Sequence, residues 1–207
     1  MEFSRTVRAR RMVRGFDPDR PVDRSLLADL LDLALRAPSA GFSQGRDFVV
    51  LLERERRDLF WATATDPGGA REPDRWLTGM RTAPCLVLCL SDPERYLDRY
   101  AEPDKGWTDR STARWPVPYW DVDTGMAALL LLLGAVDAGL GGCFFGVPGE
   151  RVEAVTDAFG VPHDRRIVGV VALGHPGTDR RSPSLARGRR PARDVVHEGR
   201  FGVPLRG

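Results

Sequence analysis

Asp121 to Gly142 reads DVDTGMAALLLLLGAVDAGLGG. Asp121, Asp123 and Thr124 are capping residue types, and the spacing predicts a helix over about 124 to 138, ended by Gly139, Gly141 and Gly142. Its run from Met126 to Leu133 is apolar on every side, so the helix is expected to be buried all round. That makes it a central element, or one completed by a second subunit. The most apolar stretch, Gly125 to Val136, is closed by Asp137 and is too short to cross a bilayer.

Moving outward, Cys143 to Gly146 opens a new segment, 150 to 158 reads as a short helix, and Ile167 to Leu173 is a buried strand closed by Gly174 and Pro176. Upstream, Cys85 to Leu90 and Phe48 to Leu52 are two further apolar, β-rich runs expected to be buried strands. After Asp23, the series Leu26, Leu27, Leu30, Leu31, Ala34 and Leu35 follows the 3.6 period until Pro38 stops it. Residues 2 to 14 suggest a short helix, as do 54 to 63 and 93 to 100; 75 to 81 could make a helical turn, and Asp66 to Asp74 is turn-rich. Helix and strand alternate, which argues for a layered α/β or α+β domain. Tyr96, Tyr100, Trp107, Trp115, Tyr119 and Trp120 crowd the irregular stretch 92 to 120, as a lid or pocket wall or as anchors tying a loop to the core. The arginine-rich tail from Thr178 has disorder-like composition, yet Val195, Val196, Phe201 and Val203 imply that it docks.

The chain has 207 residues, enough for one domain without staples, and 31 basic residues against 29 acidic ones. No global field attracts nucleic acid or anionic lipid. The N-terminal arginines have no apolar run behind them, so no secretory signal is expected. Cys85 and Cys89, four residues apart on a strand, share a face about 13 Å apart, too far for a bridge or a shared metal. With Cys143 they read as buried small hydrophobes in a reducing cytoplasm.

Several chemistries are absent from the pattern. No dinucleotide fingerprint or Walker loop is present, His163, His175 and His197 lack metal-ligand spacing, and nothing marks a nucleophile beside a base. What remains is Arg10, Arg11 and Arg14 near one end and Arg187, Arg189 and Arg190 near the other. Arginine clusters are more often solvated faces, but converging guanidinium forks are also the best ligands for a phosphate monoester.

Arg10-Arg11-Met12-Val13-Arg14-Gly15-Phe16, Pro21-Val22, the leucine helix, and Arg36-Ala37-Pro38-Ser39-Ala40-Gly41 followed by Gln44 and Phe48-Val49-Val50 resemble the N-terminal signature of the FMN-dependent nitroreductase family. Asp121 to Gly142, Cys143-Phe144-Phe145-Gly146, Gly169 to Pro176, and Arg187-Gly188-Arg189-Arg190-Pro191 are similar, in order, to its central helix, flavin-edge loop, last core strand and C-terminal phosphate segment. The likeness spans nearly the whole chain and is weakest over 54 to 118.

The resemblance implies an α+β fold over 1 to 207: a mostly antiparallel sheet between helices in a three-layer α/β/α sandwich, paired as an intertwined homodimer. It puts Arg10, Arg11, Arg14 and Arg189 around the FMN phosphate and ribityl chain, with Arg187 assisting. Pro38, Ser39 and Ala40 reach across the dimer, Gln44 lies in the same loop, and Phe145 and Gly146 offer backbone N–H groups to the flavin. Met12 stands where a small hydroxyl residue is usual, Phe42 where asparagine is common, and Gly45-Arg46 where Pro-Trp often follows. Arg75 is a further candidate.

The implied activity is hydride transfer from NAD(P)H through flavin N5 to a small electron-poor acceptor: a nitroaromatic, a quinone or an activated alkene. No protein side chain is then expected to be catalytic, and no metal, nucleic acid or membrane partner is expected. Trp107, Trp115, Tyr119 and Trp120 would form part of the substrate pocket, and residues 178 to 207 a phosphate-binding and dimer-docking tail. Two alternatives stay open: a flavin-sequestering protein without turnover, suggested by Phe42 and Phe145, and a specialised flavin enzyme of a biosynthetic pathway.

Overall fold

The structure, a computed structural model, describes residues 2–65, 75–179 and 182–205; the turn-rich stretch expected over Asp66 to Asp74 lies outside them. Cys85–Ser91 (β2) organises the fold, because every residue of it is buried. Val50 of Arg46–Leu51 (β1) and Val171 of Arg166–Gly174 (β4) pair with Val87 from its two sides, and Gly141–Phe145 (β3) pairs outside β4. All pairs are antiparallel, in the order β1-β2-β4-β3.

Alternation along β2 sends its side chains into two cores. Leu86, Leu88 and Leu90 join Phe60, Trp61 and Met80 on one face, under Arg54–Ala64 (α3), Arg75–Met80 (α4) and Val152–Ala158 (α7). Cys85, Val87 and Cys89 join Leu27, Leu30, Ala127 and Leu131 on the other, under Arg24–Leu35 (α2) and Tyr119–Asp137 (α6). The result is the expected α+β arrangement of an antiparallel sheet between helical layers. Phe3–Ala9 (α1) and Pro93–Ala101 (α5) flank it. The Asp23 carboxylate caps α2 by accepting from the Ser25 and Leu26 N–H groups, the local reason the helix starts there.

Three expectations change. β1 is an edge strand and half-buried rather than fully buried, since only β2 has strands on both sides among these two. α6 begins at Tyr119, reaching 19 residues, a length and composition that would also suit a membrane span; half of that stretch is buried in the core. It is not covered all round, because Met126 and Leu129 are 41% and 47% exposed. The apolar residues of the tail are not covered by the described residues of their own chain: Leu185, Val195, Val196 and Val203 are exposed, and Phe201 is 87% exposed.

Burial pushes the Cys85 and Cys89 thiols up to about 12 and raises Cys143 as well. Neutral thiols therefore stabilise the fold fully at ordinary pH, and that contribution is lost as pH rises above the normal thiol range toward 12, where the unfolded chain ionises first. Ellman's reagent at pH 8 is expected to label none of the three in the folded protein and all three in guanidinium chloride.

Candidate flavin site

α1 stops at Ala9, and the chain that follows runs extended beside β3. Met12 bridges Gly142, the Val13 N–H donates to the Gly142 carbonyl (3.0 Å), and the Phe144 N–H points at the Met12 sulfur (3.5 Å). This pairing carries the arginines to the end of the sheet. One terminal nitrogen of Arg10 (Nη1) is buried without a hydrogen-bond partner. Arg14 is half-buried, its Nη1 lies 3.4 Å from the Met12 carbonyl, and its guanidinium meets no carboxylate among the described residues. Arg11 is ion-paired with Asp179, whose other oxygen accepts the Arg14 backbone N–H (3.1 Å).

Arg14 opens onto a cavity of about 1090 Å³ that also has Arg75, Trp76, Thr78, Thr82 and Asp179 in its wall. Arg75 thus shares a cavity with Arg14, although its stretch resisted assignment by sequence. Two close approaches fix Arg14 there. A Cβ at Gly79 would sit 2.0 Å from the Arg14 carbonyl oxygen, and one at Gly15 would sit 2.4 Å from that of Thr178, so neither position admits a side chain without moving backbone. The Thr82 hydroxyl accepts the Phe16 N–H (2.9 Å), tying the same segment to the end of α4.

A second cavity, about 300 Å³, lies between Trp61, Trp76, Phe145, Gly146, Glu150 and Arg151. Trp76 belongs to both walls, so the cavities adjoin. Phe145 does not block either one as a free side chain: its ring stacks on Trp61 (5.5 Å, 10°) with Phe60 and Trp76 edge-on. Gly146 follows β3 and is exposed.

Pro38 to Gln44 form a separate feature. Phe42 and Gln44 have positive φ (57° and 53°), a conformation that costs a side-chain-bearing residue on the order of 1 kcal/mol. Surrounding bonds hold it in place. The Ser39 hydroxyl accepts from Gln44 N–H (3.0 Å), Asp123 accepts from Ala40 N–H (2.8 Å), and Arg99 donates to the Gly41 carbonyl (2.9 Å). Buried Arg46, where the resemblance led one to expect tryptophan, donates to the carbonyls of Leu35 and Ala37 at the end of α2 (2.6 and 2.8 Å). Phe42 is 76% exposed, and Pro38 and Gln44 are exposed too, so the loop presents itself outward from its own chain.

The aromatic stretch stands behind this loop. Trp115 packs against Tyr96, Tyr100, Trp107, Tyr119 and Trp120 at ring-centre distances of 4.6 to 6.0 Å, while Tyr100 lies directly under Gly41. None of Trp107, Trp115, Tyr119 and Trp120 lines either of these two cavities. Within this chain they pack behind the loop. Arg187 and Arg189 likewise line neither cavity; they are exposed on the tail, which leaves the larger cavity's rim at Ser182 and Pro183.

Sequence reasoning missed Asp179, Trp76 and Thr82, which belong to no charge cluster or motif, and Asp123, which served only as a capping candidate. The Asp123 carboxylate is buried and accepts from both Ala40 N–H and the Tyr96 hydroxyl (2.8 Å each). Burial and this neighbouring carboxylate push the Tyr96 phenol up, so it remains a donor. Asp123→Ala is expected to cost about 2–4 kcal/mol by leaving two donors unpaired, and Tyr96→Phe about 1–2 kcal/mol, read by urea denaturation.

The sequence profile described as the Nitroreductase family matches residues 7–175. An NADPH-flavin oxidoreductase of Vibrio harveyi is 34% identical over 196 residues, covering 95% of this chain and 73% of that protein. Among solved structures, an NADPH:FMN oxidoreductase of Vibrio harveyi complexed with NAD+ superposes with a TM-score of 0.71 (23% identity, 96% of this chain, 77% of that one). An FMN-dependent nitroreductase of Clostridium difficile gives 0.68 (19% identity, 95% and 98%). The profile match over most of the chain, with a relative 34% identical over 95% of it, establishes that this chain belongs to the nitroreductase family.

Proposed function

We propose that the protein is an FMN-dependent NAD(P)H oxidoreductase that acts, as a homodimer, on a small electron-poor acceptor such as a nitroaromatic, a quinone or an activated alkene. NAD(P)H-dependent oxidoreduction is the activity that its relatives' names carry. The observation that most supports FMN is the state of the arginines: Arg14, in the wall of a cavity of about 1090 Å³, meets no carboxylate with its guanidinium among the described residues, and Arg10, four residues before it, has a buried N–H without a partner. Guanidinium groups in that condition fit a doubly charged ester. Arg75, which lines the same cavity, would add a second cation.

When bound, FMN would supply the hydride chemistry at N5, which needs little acid or base from the protein. The chain's own work is positional. Arg10, Arg11 and Arg14, with Arg187 and Arg189 from the tail, would hold phosphate and ribityl chain; Phe145 and Gly146 would present backbone N–H groups to the ring edge, leaving the Phe145 side chain in its stack with Trp61. Met12, packed between the two cores, would contribute backbone rather than a hydroxyl.

Pairing is argued from exposed apolar surface. Met126 and Leu129 on α6 and Leu33 and Leu35 on α2 are exposed, as are the apolar residues of the tail. A partner would cover these faces, and the outward loop with Pro38, Ser39, Ala40, Phe42 and Gln44 would then reach the partner's cavity, bringing Trp107, Trp115, Tyr119 and Trp120 behind it as an outer wall. Three buried neutral thiols suit a cytoplasmic setting.

The purified protein should be yellow with one FMN per chain, and anaerobic NADH or NADPH should bleach it; bound flavin that neither donor reduces would favour storage instead. Colourless protein that takes up no added FMN would refute the proposal. Arg14→Ala should weaken FMN binding about 10- to 100-fold, the loss of one or two charge-assisted bonds, measured by flavin fluorescence. Leu129→Glu should shift sedimentation from dimer to monomer and release the flavin.

A further inference from the structure

The arginine cluster already holds an anion of the protein's own. The Asp179 side chain is only 3% exposed; one carboxylate oxygen is ion-paired with Arg11 and the other accepts the Arg14 backbone N–H at 3.1 Å. It shares the wall of the larger cavity with Arg14 and Arg75. A guanidinium fork and a backbone N–H are the donors that phosphate oxygens also take, so a carboxylate seated on them and an incoming phosphate compete for the same bonds.

We infer that Asp179 is an internal ligand of this cluster: it holds Arg11 and the Arg14 backbone in place while the cavity contains no anion, and it lowers affinity for any ligand that carries a phosphate. The inference rests on reading the cavity as an anion site. With Asp179 neutralised by Arg11, Arg14 and Arg75 leave two positive charges in the cavity wall, which matches the charge of about −1.5 to −2 on a phosphate monoester near neutral pH. The selectivity that results is specific: the carboxylate works against the phosphate end of a ligand and leaves ring binding alone.

Asp179→Asn tests this, since the amide keeps an oxygen for the Arg14 N–H and nearly the same volume while removing the charge. FMN and riboflavin are titrated into wild-type and D179N apoprotein by flavin fluorescence, and the melting temperature of each apoprotein is followed with inorganic phosphate. D179N is expected to bind FMN at least about tenfold more tightly, to bind riboflavin as wild type does, to melt lower without ligand, and to gain more from phosphate. Unchanged or weaker FMN binding together with an unchanged phosphate shift would overturn the inference and leave Asp179 as a strut for Arg11. Should wild type take up no flavin, the cofactor reading fails, and the phosphate shifts still decide the role of Asp179. Asp179→Ser, which keeps a hydroxyl acceptor, must change both readouts in the same direction; a change of opposite sign would also overturn it.

Discussion

The edge of β3 is what gives the N-terminal arginines an address. Without the hydrogen bond from Val13 to Gly142, residues 10 to 16 would be a polar extension of α1, and their charges would be solvated like most surface arginines. Pairing with the sheet places Arg14 in the wall of a cavity and half removes Arg10 and Arg14 from water. The sheet in turn depends on β2, whose two buried faces hold α3 and α7 on one side and α2 and α6 on the other. Core packing and ligand chemistry are therefore linked through a few backbone atoms at the end of β3.

One chain supplies parts that do not meet within it. The arginine-walled cavity faces one way, the strained loop from Pro38 to Gln44 projects outward, and the tail carries Arg187 and Arg189 away from the body. Strain in a loop is retained when the surroundings over-determine it, and here Asp123, Arg46, Arg99 and the aromatic stack behind Gly41 all act on a handful of residues. Such investment in the shape of an exposed loop is hard to account for by the stability of a lone chain. The proposed dimer supplies the reason, because the loop would then be a preformed contact.

Much of the fold was legible because period and capping act locally. Asp23 started its helix where the sequence placed it, and the alternation of β2 sent the leucines one way and the cysteines the other. What was not legible was non-local. Phe48 to Leu51 are apolar enough for a central strand, yet only the sheet order makes β1 an edge. α6 extends back to Tyr119 because Trp120 is buried there, a tertiary gain that capping residues at 121 to 124 could not reveal. At the site, Arg10, Arg11 and Arg14 could be picked out by charge, while Asp179, a single acidic residue far away in the chain, gave no local sign of its pairing with Arg11.

The glycine of α4 shows how far the influence of such a site spreads. Gly79 holds no ligand and bears no charge, but its missing side chain is the space in which the Arg14 carbonyl rests. The smallest residue of this short helix is consequently as constrained as the arginine it shelters.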